Sequence, residues 1–191
     1  MSDYPDHIGV STITTKSAEQ MRVEAFFDGQ PSIMFDEPEG FDIAGEAGKP
    51  DLRGRSRGWT PVHAQLAALA SCTAITVAVV ARDQGFAYAG LRTALTSLID
   101  IRGFFFDLHL QPQYDQLTFD LWLTTAELPA RIANLAREAD RRCPQLSLFH
   151  RARVPILMRW WREGEAASAH EARHAIADGS TPEERLRVQN L

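Results

Sequence analysis

The sequence predicts an α+β fold in which antiparallel sheets pack on a long, buried central helix. The first observation behind this prediction is an uncharged stretch of eighteen residues, 64–81, that follows a Thr-Pro pair. The second is a set of shorter segments in which apolar and polar residues alternate, as in half-buried strands. The third is the order of these segments: a β-hairpin, the long helix, three strands, a second helix and a last strand.

The N-terminal third predicts a short strand and a hairpin. Residues 8–14 read as a first strand, and residues 21–27 alternate apolar and polar side chains. Asp28-Gly29 is a tight-turn dipeptide, and residues 33–35 continue the pattern beyond it, so a hairpin is expected. Residues 36–58 are rich in glycine, proline and charge without periodicity, which predicts a long irregular loop.

The central helix is expected to run from Pro61 to about Asp83 and to stop at Gly85. Apolar residues surround it on nearly every side, so we expect it in a protein core. Its uncharged stretch is just long enough to span a membrane. Four polar residues interrupt that stretch and amphipathic strands flank it, so a soluble protein is predicted; the four are Gln65, Ser71, Thr73 and Thr76.

Beyond the central helix, alternation predicts strands at 91–101, 106–110 and 117–123. A helix with one apolar stripe should start near Pro129 and end at Arg142, and a strand should follow around 154–160. The expected domain therefore covers residues 1–162. Residues 163–191 read as a polar helical tail that includes a capping box at 181–184.

Composition narrows the class of function. The net charge is −5, which argues against nucleic acid as a partner. No charged segment followed by an apolar one opens the chain, so a cytoplasmic protein without a membrane anchor is expected. The only two cysteines are Cys72, in the central helix, and Cys143, at the end of the second helix. In a cytoplasmic chain such cysteines are more often catalytic or inert thiols than a structural disulfide.

Three segments carry a resemblance to a known family. The first segment resembles the first motif of the OsmC/Ohr family: it consists of Gly58-x-Thr60-Pro61 followed by residues 66–76, which include Cys72. Residues 36–38 (Asp-Glu-Pro) and the Cys143-Pro144 pair resemble its flanking loop and second motif. The resemblance implies an intertwined homodimer and a cofactor-free thiol peroxidase that reduces small apolar hydroperoxides. Cys72 would then be the peroxidatic cysteine, Cys143 the resolving one, and an external dithiol the reductant.

The sequence departs from the family pattern at one place. Peroxidase members carry a glutamate one or two positions after the motif proline, which helps to place an arginine at the thiolate. Val62 and His63 occupy those positions here. The alternative reading is therefore a dimeric binding protein that keeps the fold without the chemistry, or a thiol-redox protein that acts on another substrate. In the absence of thiol chemistry, both cysteines would be small core side chains.

Further candidate site residues follow from what a reactive thiolate needs. Cys72 lies too deep in its helix to use that helix's own N-terminus, so a nearby arginine is required. The candidates are Arg22, Arg53, Arg55 and Arg57. Gln65, seven residues before Cys72, lies on the same helix face, whereas His63 lies nearly opposite.

Cys143 precedes a proline and is expected to cap a short helix through Leu148, whose dipole favours a thiolate. A metal site formed by Cys143 with His109 and His150 has no recognisable spacing, so no metal site is predicted.

Overall fold

A computed structural model describes residues 11–17, 20–45, 50–105 and 109–175 of the 191-residue chain. The chain divides into two compact units, residues 1–65 and 66–191. The domain boundary that the sequence predicts after residue 162 thus falls inside the second unit.

The first unit contains two small antiparallel sheets. Strands β1 (Thr14–Ser17), β2 (Val23–Phe26) and β3 (Ile33–Phe35) form one sheet in the order β1-β2-β3. The β2–β3 hairpin confirms the prediction from Asp28-Gly29, where Gly29 has a φ of 73°. Of the first predicted strand, residues 8–10 lie outside the described residues, residues 11–13 have no regular structure, and β1 starts at Thr14. The predicted irregular loop also contains a second, two-stranded sheet of β4 (Asp42–Ile43) and β5 (Leu52–Arg53).

A tight approach in this unit explains the glycine before the central helix. Trp59 donates its backbone N–H to the Met34 carbonyl at 3.0 Å. A Cβ at Gly58 would lie 2.3 Å from that carbonyl oxygen, so only glycine fits. Thr60 then caps the helix, because its Oγ1 accepts the His63 N–H at 3.1 Å.

Helix α1 (Pro61–Gln84) matches the predicted helix within one residue and ends at Gly85, whose φ is 57°. Within one chain, α1 is not buried on all sides. Leu69, Val77 and Val80 are buried, whereas Ile75 is 66% exposed. Among the described residues, α1 is the one helix long and apolar enough to cross a membrane, a test that core helices of soluble proteins also pass.

The second unit is built on a four-stranded sheet of β6 (Gly90–Asp100), β7 (Gln113–Thr124), β8 (Ile156–Arg162) and β9 (His170–His174), in that order. Strands β6–β7 and β8–β9 are antiparallel, but β7–β8 is parallel. The sheet is therefore mixed rather than purely antiparallel. Parallel neighbours need a crossover, and helices α3 (Pro129–Arg142) and α4 (Pro144–Arg151) provide it.

The core of this unit lies between the sheet and the helices. Helix α3 confirms the predicted bounds and the predicted apolar stripe. Fully or nearly fully buried side chains come from every layer: Leu117, Phe119, Leu121 and Leu123 of β7, Ile156, Met158 and Trp160 of β8, and Ile132, Leu135, Ala136 and Ala139 of α3. The alternation along β7 thus places one face of the strand in the core.

Two sequence-based elements differ in the structure. A short helix α2 (Arg102–Phe105) precedes the strand predicted at 106–110, and the described part of that segment, residues 109–110, forms a turn and a bend. The remainder of that predicted strand, residues 106–108, lies outside the described residues. The segment predicted as a helical tail contains strand β9, which pairs with β8, so its described part is not helical. The capping box at 181–184 also lies outside the described residues.

Candidate functional site

Cys72 lies in the middle of α1 on its half-buried side. It follows the buried Leu69 by almost one turn and precedes Thr76 by one. Thr76 donates its hydroxyl to the Cys72 carbonyl at 2.8 Å. The thiol is accessible in part, which a nucleophile for an external substrate requires, and the helix backbone fixes its position.

Cys143 occupies the junction of α3 and α4 and is completely buried. Its N–H donates to the Ala139 carbonyl at the end of α3, and its carbonyl accepts the Ser147 N–H in α4, both at 3.0 Å. The residue is extended, with φ −76° and ψ 115°, as expected before a proline. The predicted N-cap position of Cys143 is confirmed, and α4 extends three residues beyond the predicted Leu148.

A threonine of α1 ties Cys143 to the central helix. Thr73 Oγ1 lies 3.5 Å from the Cys143 sulfur and also donates to the Leu69 carbonyl at 2.9 Å. Because the single hydroxyl proton goes to that carbonyl, the Cys143 S–H is the donor in the contact with Thr73. Cys143 is therefore held against the same stretch of α1 that carries Cys72.

The two cysteine side chains are neighbours. Burial raises the pKa of the Cys72 thiol, and the hydrogen bonding and charge of Cys143 act in the same direction. Both cysteines are free thiols in this structure. The fold thus brings two thiols that are 71 positions apart in the sequence next to each other, and they do not form a disulfide.

One functional group was missed by the sequence analysis. The backbone N–H of Gln145, in the first turn of α4, acts as a hydrogen-bond donor toward the Cys72 sulfur and lowers its pKa, as does the Thr76 hydroxyl. Cys72 therefore faces the N-terminus of a helix other than its own. Pro144 at the first position of α4 was the available signal, because the next N–H groups have no partner within the helix. The effect of burial on the pKa of Cys72 is larger than that of these two donors, so the pKa remains raised.

The four candidate arginines gather in the first unit. Arg22, Arg53, Arg55 and Arg57 line one pocket of about 180 Å³ together with Gln20 and Asp36. Arg53 is paired with Asp51 at 2.8 Å. The Arg22 Nε is buried and has no hydrogen-bond partner among the described residues. The pocket is therefore a concentration of positive charge around one buried carboxylate.

Asp36 anchors the Asp-Glu-Pro segment inside this unit. The Asp36 side chain is buried and accepts the backbone N–H groups of Glu37 at 2.9 Å and Arg57 at 3.2 Å. Burial and Asp36 raise the pKa of Glu37, whereas His63 lowers it. His63 therefore lies within electrostatic reach of a carboxylate from the flanking loop. Val62 is half-buried, and His63 and Gln65 are exposed.

A second cluster of titratable side chains lies in the second unit. Asp140 of α3, His150 of α4 and His174 of β9 bring carboxylate and imidazole atoms within 4.8 Å of one another. Burial and His174 lower the pKa of His150, whereas Asp140 raises it. The sequence analysis considered His150 only with Cys143 and His109. No local spacing could have revealed the actual set, because the three residues lie on three separate elements.

The chain resembles known proteins in sequence and in structure. It matches the OsmC-like protein family over residues 54–158, more than half of its length. No protein with a curated description matches it. An OsmC-like protein from Mycoplasma pneumoniae has a similar structure, with a TM-score of 0.62 and 18% identity over 80% of this chain and 96% of that one.

Two further solved structures resemble the chain at low identity. An organic hydroperoxide resistance protein OsmC from Legionella pneumophila, described as a predicted redox protein, has a TM-score of 0.60 and 14% identity, covering 81% of this chain and 98% of its own. An organic hydroperoxide resistance protein from Elizabethkingia anophelis has a TM-score of 0.61 and 10% identity, covering 83% of this chain and all of its own. The fold and the match across both cysteine motifs agree: this chain is a member of the OsmC-like protein family.

Proposed function

We propose that the protein reduces organic hydroperoxides, with Cys72 as the peroxidatic and Cys143 as the resolving cysteine. The observation that carries this proposal is the pair of free, neighbouring thiols, one half-buried and one fully buried. A partly accessible attacking thiol beside a protected second thiol is the arrangement that a sulfenic acid intermediate needs. Two solved structures of similar fold are named as organic hydroperoxide resistance proteins, which agrees with this chemistry.

The reaction proceeds in three balanced steps. The Cys72 thiolate attacks an oxygen of the hydroperoxide; an S–O bond forms, the O–O bond breaks, and the alkoxide takes a proton to become an alcohol. The Cys143 sulfur then attacks the sulfenic sulfur, an S–S bond forms and water leaves. An external dithiol supplies two electrons and two protons to restore both thiols. Helix α4 assists the first step, because the Gln145 N–H favours the Cys72 thiolate.

The first step also requires a cation, since the contacts described around Cys72 leave its pKa raised. The candidates remain the four arginines of the pocket in the first unit. Arg22 is the strongest of them, because its Nε is buried without a hydrogen-bond partner among the described residues. Replacing Arg22 by Lys retains the charge but not the planar donor fork, whereas Arg22→Ala removes both. The proposal expects Arg22→Ala to raise the pH midpoint of Cys72 alkylation and Arg22→Lys to raise it less.

Homodimer formation is part of the proposal. The exposed face of α1 is apolar and carries Ile75 and Val79, which are 66% and 37% exposed within one chain. An uncovered apolar helix face next to a reactive thiol is costly in water and is typical of an interface between subunits. We expect a soluble, cytoplasmic homodimer that has no nucleic-acid or membrane partner.

A second candidate function is a dimeric binding protein without peroxidase activity. Two observations favour it: the raised pKa of Cys72, and the absence of a glutamate at Val62 and His63. A single substitution separates the candidates. Val62→Glu places a carboxylate in the first helical turn, where the helix dipole tolerates it. If the protein is a peroxidase that lacks only this carboxylate, Val62→Glu increases the rate of hydroperoxide consumption without lowering the melting temperature.

The experiment that tests the proposal follows hydroperoxide consumption with an excess of dithiol. Wild type should turn over with dithiol, and Cys72→Ser should be inactive. Cys143→Ser is assayed without dithiol, because a dithiol would reduce its sulfenic acid directly; it should consume one equivalent and stop with a sulfenic acid that dimedone traps at Cys72. Ser71→Ala is a matched control that should turn over like wild type, since it keeps both cysteines and removes an exposed hydroxyl whose hydrogen bonds go to carbonyls of its own helix. Loss of one equivalent per chain in Cys72→Ser, or none in wild type, would contradict the proposal.

A further inference from the structure

Three side chains outside the cysteine site converge on one point. Asp140 Oδ1 lies 3.5 Å from His150 Nε2, and Asp140 Oδ2 lies 3.2 Å from His174 Nε2. The two imidazole rings are stacked, with their centroids 3.9 Å apart and their planes inclined by 28°. Both histidines therefore present the same ring nitrogen to the same carboxylate.

The polar atoms at this point lack hydrogen bonds. Three of these atoms are inaccessible to solvent and have no hydrogen-bond partner among the described residues: Asp140 Oδ1, His150 Nε2 and His174 Nε2. The two imidazole–carboxylate contacts are short, but neither has the geometry of a hydrogen bond. Buried polar atoms without partners cost free energy, and three of them facing one another indicate that another group belongs between them.

We propose that Asp140, His150 and His174 bind a divalent transition-metal ion, with Zn²⁺ as the best fit. Imidazole nitrogen and carboxylate oxygen bind Zn²⁺ at about 2.0–2.2 Å in tetrahedral geometry, so neighbouring ligand atoms should be roughly 3.3–3.5 Å apart. The two measured separations, 3.5 and 3.2 Å, lie close to this spacing and join each imidazole to a different oxygen of Asp140. A rotation of the stacked rings aims both nitrogens at one ion, because each lone pair lies in its ring plane. Two imidazoles disfavour Mg²⁺ and Ca²⁺, which prefer oxygen ligands.

Three protein ligands leave one position of a tetrahedral zinc site for water. The side chains of Asp140, His150 and His174 are 22%, 26% and 26% exposed, whereas the three atoms that face one another are themselves buried. Stacked imidazoles repel each other when both carry a proton, whereas a metal ion holds both in the neutral form.

The proposed ion would link three secondary-structure elements of the second unit. Asp140 belongs to α3, His150 to α4 and His174 to β9, so the ion ties the last described strand to the pair of helices. Cys143 lies between the first two ligands, at the α3–α4 junction. Metal binding therefore stabilises the segment that presents the buried cysteine and the α4 N-terminus.

The test uses full-length protein freed of metal by a chelator and titrated with ZnCl₂. The expected result is one Zn²⁺ per chain by calorimetry and elemental analysis, a higher melting temperature on addition of Zn²⁺, and no such effect with MgCl₂. Loss of a residue that only hydrogen-bonds to a metal ligand weakens metal binding by about 10–100-fold. Asp140→Asn, His150→Gln and His174→Gln each remove a ligand itself, so each should weaken Zn²⁺ binding by more than that.

Two controls keep the test specific. His170→Gln changes a histidine on the same face of β9 as His174, and it should bind Zn²⁺ like wild type. A Cys72→Ser/Cys143→Ser variant should also bind Zn²⁺ normally, and its Co²⁺ complex should lack a thiolate charge-transfer band. If wild type binds no stoichiometric Zn²⁺, if the three ligand variants bind as wild type does, or if only the cysteine variant loses the metal, the proposal is wrong. Should one ligand variant fail to fold without metal, as judged by circular dichroism, the other two decide the matter.

Discussion

The substitution Ile75→Glu tests whether the exposed face of α1 is buried between subunits. Ile75 is 66% exposed within one chain, in the same helix as Cys72 and less than one turn from it. Fully burying an isoleucine side chain contributes about 1.5–3 kcal/mol, so burying the exposed two-thirds contributes roughly 1–2 kcal/mol. A twofold dimer buries two copies, which gives about 2–4 kcal/mol of association free energy.

This free energy sets the size of the expected effect. Loss of about 2–4 kcal/mol weakens association by roughly 30- to 700-fold, since each 1.4 kcal/mol corresponds to a factor of ten. A buried glutamate carboxylate without a partner weakens it further. Sedimentation velocity over a dilution series should therefore show a folded monomer for Ile75→Glu at concentrations where wild type is dimeric.

The matched control for this experiment is Ile75→Val, which keeps the apolar surface and the β-branched shape. It should remain dimeric, with a change in association of no more than about tenfold. The reasoning is refuted if wild type is a stable monomer at micromolar concentration, or if Ile75→Glu associates as tightly as wild type does.

Three further predictions follow from contacts in the second unit. Burial and the neighbouring cysteine raise the pKa of Cys72 within one chain. If the arginine that favours its thiolate comes from the second subunit of the proposed dimer, the pH midpoint of Cys72 alkylation should be higher in a monomeric variant than in the dimer, and equal midpoints would contradict this. Asp120→Asn should lower the unfolding free energy by roughly 1–3 kcal/mol in urea denaturation, since it weakens the paired bonds from Arg159 at 2.7 and 2.6 Å; a change below 0.5 kcal/mol would count against this. Leu69→Ala should cost about 2–5 kcal/mol in the same assay, because the side chain is fully buried, whereas the exposed Leu128→Ala should cost under about 0.5 kcal/mol.

The sequence predicted the helices well because their signals are local. Thr60-Pro61 and Gly85 bound α1, and Pro129 with the apolar stripe bounds α3. Strand β9 was missed because its sequence, His-Glu-Ala-Arg-His, is polar, and its strand conformation depends on pairing with β8. Residues 106–110 alternate as a strand does, but their described part, residues 109–110, forms a turn and a bend, and alternation alone carries no information about a pairing partner.

The sequence predicted the two cysteines of the candidate site but not the groups that surround them. The motifs around Cys72 and Cys143 indicated both thiols, whereas the approach of the Gln145 N–H depends on how α4 packs beside α1. The apolar composition of α1 does not tell which of its faces the chain itself leaves exposed, because an apolar helix has the same pattern on every side; the structure identifies Ile75 and Val79. The Asp140, His150 and His174 cluster joins three elements and has no sequence signature.

The central claim is that Cys72 and Cys143 act as one redox pair. The most direct measurement is peptide mapping by mass spectrometry, under non-reducing conditions, after the reduced protein has reacted with one equivalent of cumene hydroperoxide. The account predicts a single intramolecular disulfide between Cys72 and Cys143, with the loss of two hydrogens per chain and full reversal by a dithiol. Two unmodified thiols, or oxidation of Cys72 to a sulfinic acid without participation of Cys143, would contradict it.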